Sequence, residues 1–130
     1  MLFLLPVVFS CRQPQKLFQK LSSKETGIDF TNTITEDKEH NVFTYQYYYN
    51  GNGVAVGDIN NDGLTDIFFT GNQTASKLYL NKGNFQFQDI TLKAGVAGKK
   101  AWRTGANMAD VNGDGLLSVT LIMTDGRIYL

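Results

Sequence analysis

Gly53-Val54-Ala55-Val56-Gly57-Asp58-Ile59-Asn60-Asn61-Asp62-Gly63-Leu64 decides the fold, because it recurs as Gly105-Ala106-Asn107-Met108-Ala109-Asp110-Val111-Asn112-Gly113-Asp114-Gly115-Leu116. In both copies a short apolar run leads into a loop of Asp, Asn and Gly. The residues around the first loop, Val54-Ala55-Val56 before it and Ile67-Phe68-Phe69 after it, are mostly β-branched or aromatic, so the loop joins two strands.

The repeat interval, Asp58 to Asp110, is that of one four-stranded blade of a propeller, in which each blade buries its faces only against its neighbours. Two such units do not close a ring. The expectation is therefore an all-β fold, a partial β-propeller of about two blades of short antiparallel strands, read as a piece of a larger protein in preference to a chain that covers its open blade faces in some other way. Thirteen glycines set among fifteen Phe and Tyr residues agree with strands joined by tight turns. Strands are expected at Phe43–Tyr49, Val54–Gly57, Asp66–Thr70, Lys77–Asn81 and Phe85–Ile90, with a hairpin reversal at Asn81-Lys82-Gly83-Asn84. Gly27-Ile28-Asp29-Phe30 alternates, Leu17 to Lys24 has the spacing of one helical turn, and the tail is read either as a hairpin around Thr124-Asp125-Gly126 or as an altered end of an interrupted reading frame.

The loops carry the chemistry. The first offers side-chain oxygens from Asp58, Asn60, Asp62 and Asp66 at its first, third, fifth and ninth positions and the carbonyl of Leu64 at its seventh. Alternate positions of a tightly curled loop converge, and calcium takes six to eight oxygens from such a flexible cage. Two carboxylates ~5 Å apart repel by about 1 to 3 kcal/mol, which a divalent ion relieves. The competing reading is a metal-free turn, since Asp, Asn and Gly favour turns in any case. The second loop offers Asp110, Asn112, Asp114, the Leu116 carbonyl and, at its ninth position, only the Ser118 hydroxyl, so weaker binding is expected. Magnesium, which demands a compact octahedral shell, suits both loops less well. The twelfth positions, Phe69 and Leu121, lack the carboxylate that a helical calcium sensor needs.

Val56 to Ile67 resembles the FG-GAP/VCBS repeat of integrin-α-type propellers. The wider run through Lys77-Leu78-Tyr79-Leu80-Asn81, Phe85 to Thr91, Ala94-Gly95-Val96 and Trp102-Arg103-Thr104-Gly105 is similar to bacterial VCBS-repeat proteins of the cartilage-acidic-protein type. The resemblance implies calcium in the strand-connecting loops and a role in extracellular adhesion or recognition. The partner would be a protein or glycan ligand at the cell surface. The sequence departs from the pattern at Ser118 and beyond.

Met1 to Ser10 is an uninterrupted apolar run, too short to span a membrane but sufficient for the hydrophobic part of a secretory signal. Val8-Phe9-Ser10-Cys11 resembles the bacterial lipoprotein cleavage box, with Phe9 bulkier than that pattern prefers. This implies a lipid anchor at Cys11 and a place in the cell envelope or outside the cell. A plain signal, or a buried strand holding an incidental thiol, is the alternative. The expected organisation is residues 1–11 signal, 12–26 tether and 27–130 repeat region.

Twelve basic residues balance twelve acidic ones without a local cluster, which argues against nucleic acid as a partner. One cysteine excludes a disulfide framework and multi-cysteine metal sites. The lone His40 lies in a charged stretch with no marked nucleophile, so no catalytic residue is assigned. The rival function is a glycan-acting enzyme using Asp58, Asp62 and Asp66 or Asp89 as an acid/base pair; a truncated product without independent function is a third. Trp102, Tyr47, Tyr48 and Tyr49 are read either as core between blades or as a carbohydrate-stacking surface. Asn72-Gln73-Thr74 has the form of a glycosylation site but reads as an ordinary turn.

Overall fold

The computed structural model describes residues 17–98, 101–123 and 128–129; Cys11 with the signal segment, and Thr124-Asp125-Gly126, lie outside the described residues. Two antiparallel sheets make the fold. The first contains β1 (Val54–Gly57), β2 (Asp66–Phe69), β3 (Lys77–Asn81) and β4 (Phe87–Asp89) in sequential order, and the second contains β5 (Arg103–Ala109), β6 (Ser118–Met123) and β7 (Ile128–Tyr129). Each sheet is a blade, and the protein is all-β, a partial propeller. The only helices among the described residues are the single turns α1 (Ser23–Thr26) and α2 (Thr91–Ala94), and no described helix is long and apolar enough to cross a membrane.

The repeat read from sequence reappears in the strand register. Gly57 faces Asp66 and Val56 faces Ile67 in the first blade. Their counterparts, Ala109 with Ser118 and Met108 with Val119, pair in the second. The tail forms the expected antiparallel pair, Leu121 with Tyr129 and Ile122 with Ile128.

Ala55, Phe68 and Leu78 form the buried centre, and Ala106, Met108, Val119 and Leu121 of the second blade pack against it. One face of the first sheet is thus closed by its neighbour, as blade packing requires. Truncating a fully buried Phe such as Phe68 to Ala costs about 3 to 5 kcal/mol in such a core. Gly53 lets β1 approach β5, since a Cβ there would collide with the backbone of Gly105 and Ala106.

Three expected elements differ. Phe43 to Tyr49 is not a strand but a series of turns. Asn41 causes it: its Oδ1 accepts the N–H groups of Phe43 (2.9 Å) and Thr44 (3.2 Å), and its carbonyl accepts that of Tyr45. Local side-chain bonds of this kind divert the backbone from a ladder. The helical turn forms at Ser23–Thr26, not across Leu17 to Lys24, because Ser22 and Glu25 make a capping box and Gly27, at φ 77°, ends the turn. Strand β4 begins two residues later than expected, since Asn84 and Phe85 adopt φ 53° and 58° and remain in the reversal. The alternation from Ile28 to Ile34 survives as alternating burial without strand pairing; Phe30 stacks on Phe69 with ring centres 5.0 Å apart.

Candidate functional site

The loop between β1 and β2 is organised around Asp58. Its Oδ1 accepts the N–H groups of Asn60 (3.3 Å) and Asp62 (3.1 Å), and its Oδ2 accepts that of Gly63 (2.7 Å). Partial burial opposes the charge on Asp58, but these donors outweigh it and hold the carboxyl below its usual range. Asn60 faces Asp62: its Nδ2 donates to Asp62 Oδ2 (2.9 Å) and its Oδ1 accepts the Asp62 N–H (3.3 Å). Asp62 Oδ1 accepts the Leu64 N–H at 2.9 Å. The side chains of the first, third and fifth positions are therefore gathered on one side of the curl.

Asp66 occupies a different environment. It is fully buried at the start of β2, where Oδ2 accepts the Ile59 N–H (3.0 Å) and Oδ1 accepts the Asn81 N–H of β3 (2.7 Å). One carboxylate thus staples the loop to the third strand. Among the described residues no three acidic, histidine or cysteine side chains meet as a metal-holding group. Asp58, Asn60 and Asp62 of the first loop carry carboxylate and amide oxygens, the hard-oxygen type that calcium takes, and in chemical type these residues fit that ion.

The second loop repeats the geometry. Asp110 Oδ1 accepts the Gly113 (2.7 Å) and Asp114 (3.2 Å) N–H groups and Oδ2 accepts that of Gly115 (2.8 Å). Asn112 Nδ2 donates to Asp114 Oδ2 (2.8 Å), and Leu116 N–H to Asp114 Oδ1 (2.8 Å). The Gly115 N–H foremost holds the Asp110 carboxyl low, and the Asn112 amide does the same for Asp114. Asn61 and Gly63 of the first loop, and Gly113 and Gly115 of the second, share the left-handed backbone conformation. Ser118 begins β6 where Asp66 begins β2, so the second loop has no carboxylate staple.

Sequence reading missed a charged cluster beside the first blade. Lys77 Nζ bridges Asp29 Oδ1 (2.8 Å) and Asp89 Oδ2 (3.0 Å), and Tyr79 Oη donates to Asp29 Oδ1 at 2.6 Å. Asp89 also accepts from the Thr91 N–H and hydroxyl. Two of the four carboxyl groups considered for an acid/base pair, Asp66 and Asp89, are thus engaged in holding the fold. No local signal marked the Lys77 contact with Asp29, because 48 residues separate them. Asn72 is 3% exposed, in keeping with the turn reading of its sequon.

Residues 58–119 match the family described as FG-GAP-like repeat. The chain is similar to cartilage acidic protein 1 of Xenopus tropicalis, 36% identical over 85 residues, which make up 64% of this chain and 13% of that protein. It is likewise similar to the proteins of that name from Mus musculus (34%) and Homo sapiens (33%), over the same shares. The chain spans about 13% of the length of each of these relatives.

Proposed function

Residues 58–119 belong to the FG-GAP-like repeat family, and on that premise we propose that the chain is part of a calcium-stabilised, non-catalytic recognition module working outside the cell. The observation that carries the calcium reading is the curl of Asp58, Asn60 and Asp62 around one side of the loop, with a fully buried carboxylate at Asp66 behind it. A buried carboxylate is better stabilised where a cation lies beside it than by backbone N–H groups alone. Asp58, Asn60, Asp62, Asp66 and the Leu64 carbonyl would hold the ion. Asp110, Asn112, Asp114, Ser118 and the Leu116 carbonyl would hold a second, more weakly.

Bound calcium would order the loops and stiffen the blade, without chemistry of its own. Calorimetry with calcium chloride on the whole chain tests this, at concentrations up to several millimolar because extracellular modules bind at about 10⁻⁴ to 10⁻³ M. Heat that saturates, and that is lost in Asp62→Ala, supports the reading. No heat, or heat unchanged in that variant, sinks it.

The same reading places residues 1–11 as an export signal, 12–26 as a tether and 27–130 as the repeat region, with Cys11 lipidated at the cell envelope and a protein or glycan as the recognised partner. Incorporation of labelled palmitate into the chain, abolished by Cys11→Ala, is the corresponding test; a chain that stays unlabelled has no such anchor.

A further inference from the structure

Away from the loops, a cleft of about 790 Å³ opens between the turns of residues 33–48, the β2–β3 turn and the approach to β5. One wall is aromatic. The Trp102 ring lies 4.9 Å from Tyr48 and 6.3 Å from Tyr45, tilted by 58° and 51°. Trp102 is half-buried, and neither tyrosine ring stacks flat on it. Tyr48 is the fixed member: it is buried, its hydroxyl donates to the Thr35 carbonyl (2.7 Å) and accepts from Gln73 Nε2 (3.0 Å). Trp102 precedes Arg103, whose guanidinium donates to the Gly71 carbonyl at 2.9 Å, so the aromatic wall stands on the junction between the two blades.

The rest of the lining is largely polar and includes Asn72, beside the Trp102–Arg103 peptide. The Asn72 side chain is almost wholly buried and its Oδ1 accepts the Arg103 N–H (3.4 Å), yet its amide donates no hydrogen bond among the described residues. That amide nitrogen is not among the buried atoms without a partner, so it keeps contact with solvent. Thr33, which is exposed, also lines the cleft with its hydroxyl-bearing side chain. An aromatic surface with an amide and hydroxyls in the same lining suits a ligand with one carbon-rich face and a rim of hydroxyl groups.

We propose that this cleft is a carbohydrate subsite that seats a pyranose ring on Trp102 and Tyr45 while Asn72 donates to a sugar oxygen. The site rests on the recognition reading above, though it lies apart from the loops. A small cation fits less well. The Asp37 carboxylate is already taken by the N–H groups of Glu39 and His40 and by the His40 ring at 3.0 Å, and the tilted rings do not form a cage. A nucleotide is disfavoured by Asp37 and Glu39, which would repel its phosphate.

Trp102 is the only tryptophan, so its fluorescence reports on this cleft alone. The whole chain is titrated with methyl β-glucopyranoside, methyl β-galactopyranoside and N-acetylglucosamine, in calcium and in EDTA, with tetramethylammonium chloride as the cationic probe. A saturable change with at least one sugar is expected, weakened about fivefold or more by Tyr45→Ala. Asn72→Asp keeps the acceptor for Arg103 but removes the donors, and weakens binding likewise. Phe43→Ala, a fully exposed ring outside the cleft, leaves it unchanged. Near-ultraviolet circular dichroism checks that each variant is folded. Silence with all three sugars in both conditions, equal affinity in a folded Asn72→Asp protein, or a response to tetramethylammonium alone overturns the proposal. Sugar binding that persists in EDTA, in a chain giving no heat with calcium, supports the cleft and discards the loop reading.

Discussion

Asn61 Nδ2 donates a 3.2 Å hydrogen bond to the carbonyl oxygen of Gly115, joining the two acidic loops across 54 residues of sequence. The loops are therefore neighbours at one end of the blade pair. Asn61 also stands in the left-handed conformation, at φ 58°, where its counterpart in the second loop is Gly113 at φ 75°. Asparagine tolerates that conformation and, unlike glycine, brings a side chain that reaches across.

Replacing Asn61 separates these two contributions. Asn61→Gly keeps the backbone relaxed and loses only an exposed hydrogen bond, so it is expected to cost less than about 1 kcal/mol. Asn61→Ala loses the bond and places a Cβ residue in an unfavourable conformation, for a total of about 1 to 2 kcal/mol. Urea unfolding midpoints decide; equal midpoints for the two variants would show that the backbone conformation contributes nothing.

Gly53 governs the approach of the blades. A Cβ at Gly53 would run into the backbone of Gly105 and Ala106, which cannot rotate away, whereas Gly51 has open space around it. Gly53→Ala is expected to destabilise the fold by about 3 kcal/mol or more, as overpacking against fixed backbone does. Gly51→Ala is expected to remain within about 0.5 kcal/mol of the parent. Thermal unfolding of both variants gives the comparison, and a Gly53→Ala protein as stable as the parent rules out the close contact.

The repeat was legible because its signal is local: Asp58 to Leu64 and Asp110 to Leu116 fix the turns, and Val54–Gly57 and Lys77–Asn81 show the residue types of strands. Asn41 was not recognised as a turn former because the aromatic run after it carries every mark of a strand by composition. The inward course of Asp66 was equally hidden. Its position in the loop pattern suggests a ligand alone, while its bonds to Ile59 and Asn81 depend on how β3 packs beside β2. Trp102 and Tyr48 meet only because Arg103 draws the second blade's first strand against Gly71, a contact 32 residues distant in sequence.

The Asp29, Lys77 and Tyr79 cluster makes stability depend on pH at both extremes. The Lys77 ammonium and then the Tyr79 hydroxyl hold Asp29 below its ordinary value of 3.8. A depressed carboxyl stabilises the fold above its unfolded value, and that contribution is lost as pH falls through the folded one. Asp29 and Asp89 raise the Lys77 pKa above its ordinary 10.5, and burial followed by the bond to Asp29 pushes Tyr79 up to about 12. Raised groups stabilise below their unfolded values, so this part fades as pH climbs from 10.0 through about 12. In Asp29→Asn the melting temperature, followed by circular dichroism from about pH 3 to about pH 11, is expected to fall less steeply at both ends. The alkaline limb is only partly flattened, since burial of Tyr79 remains. Parallel curves for variant and parent would remove the cluster from the account.

Ser118 isolates what the buried carboxylate adds, because the two loops otherwise share their hydrogen bonds. In the first blade Asp66 Oδ2 holds the Ile59 N–H, and the matching N–H in the second belongs to Val111. Ser118 is only half-buried and stands at the register position that Asp66 occupies, opposite Ala109 where Asp66 faces Gly57. Ser118→Asp supplies the missing carboxylate at a place with room for partial hydration. Without calcium the added charge is expected to leave the melting temperature unchanged or lower it slightly, because one new backbone bond offsets the cost of partial burial. With calcium the extra anionic ligand is expected to tighten the second loop by about tenfold, since ligand charge is the main determinant of affinity among such loops. At a calcium concentration ten times the dissociation constant, binding contributes about 1.4 kcal/mol. The variant's melting temperature therefore rises with calcium more steeply than the parent's. Identical calcium responses would mean that the ninth position acts on the fold and not on the ion.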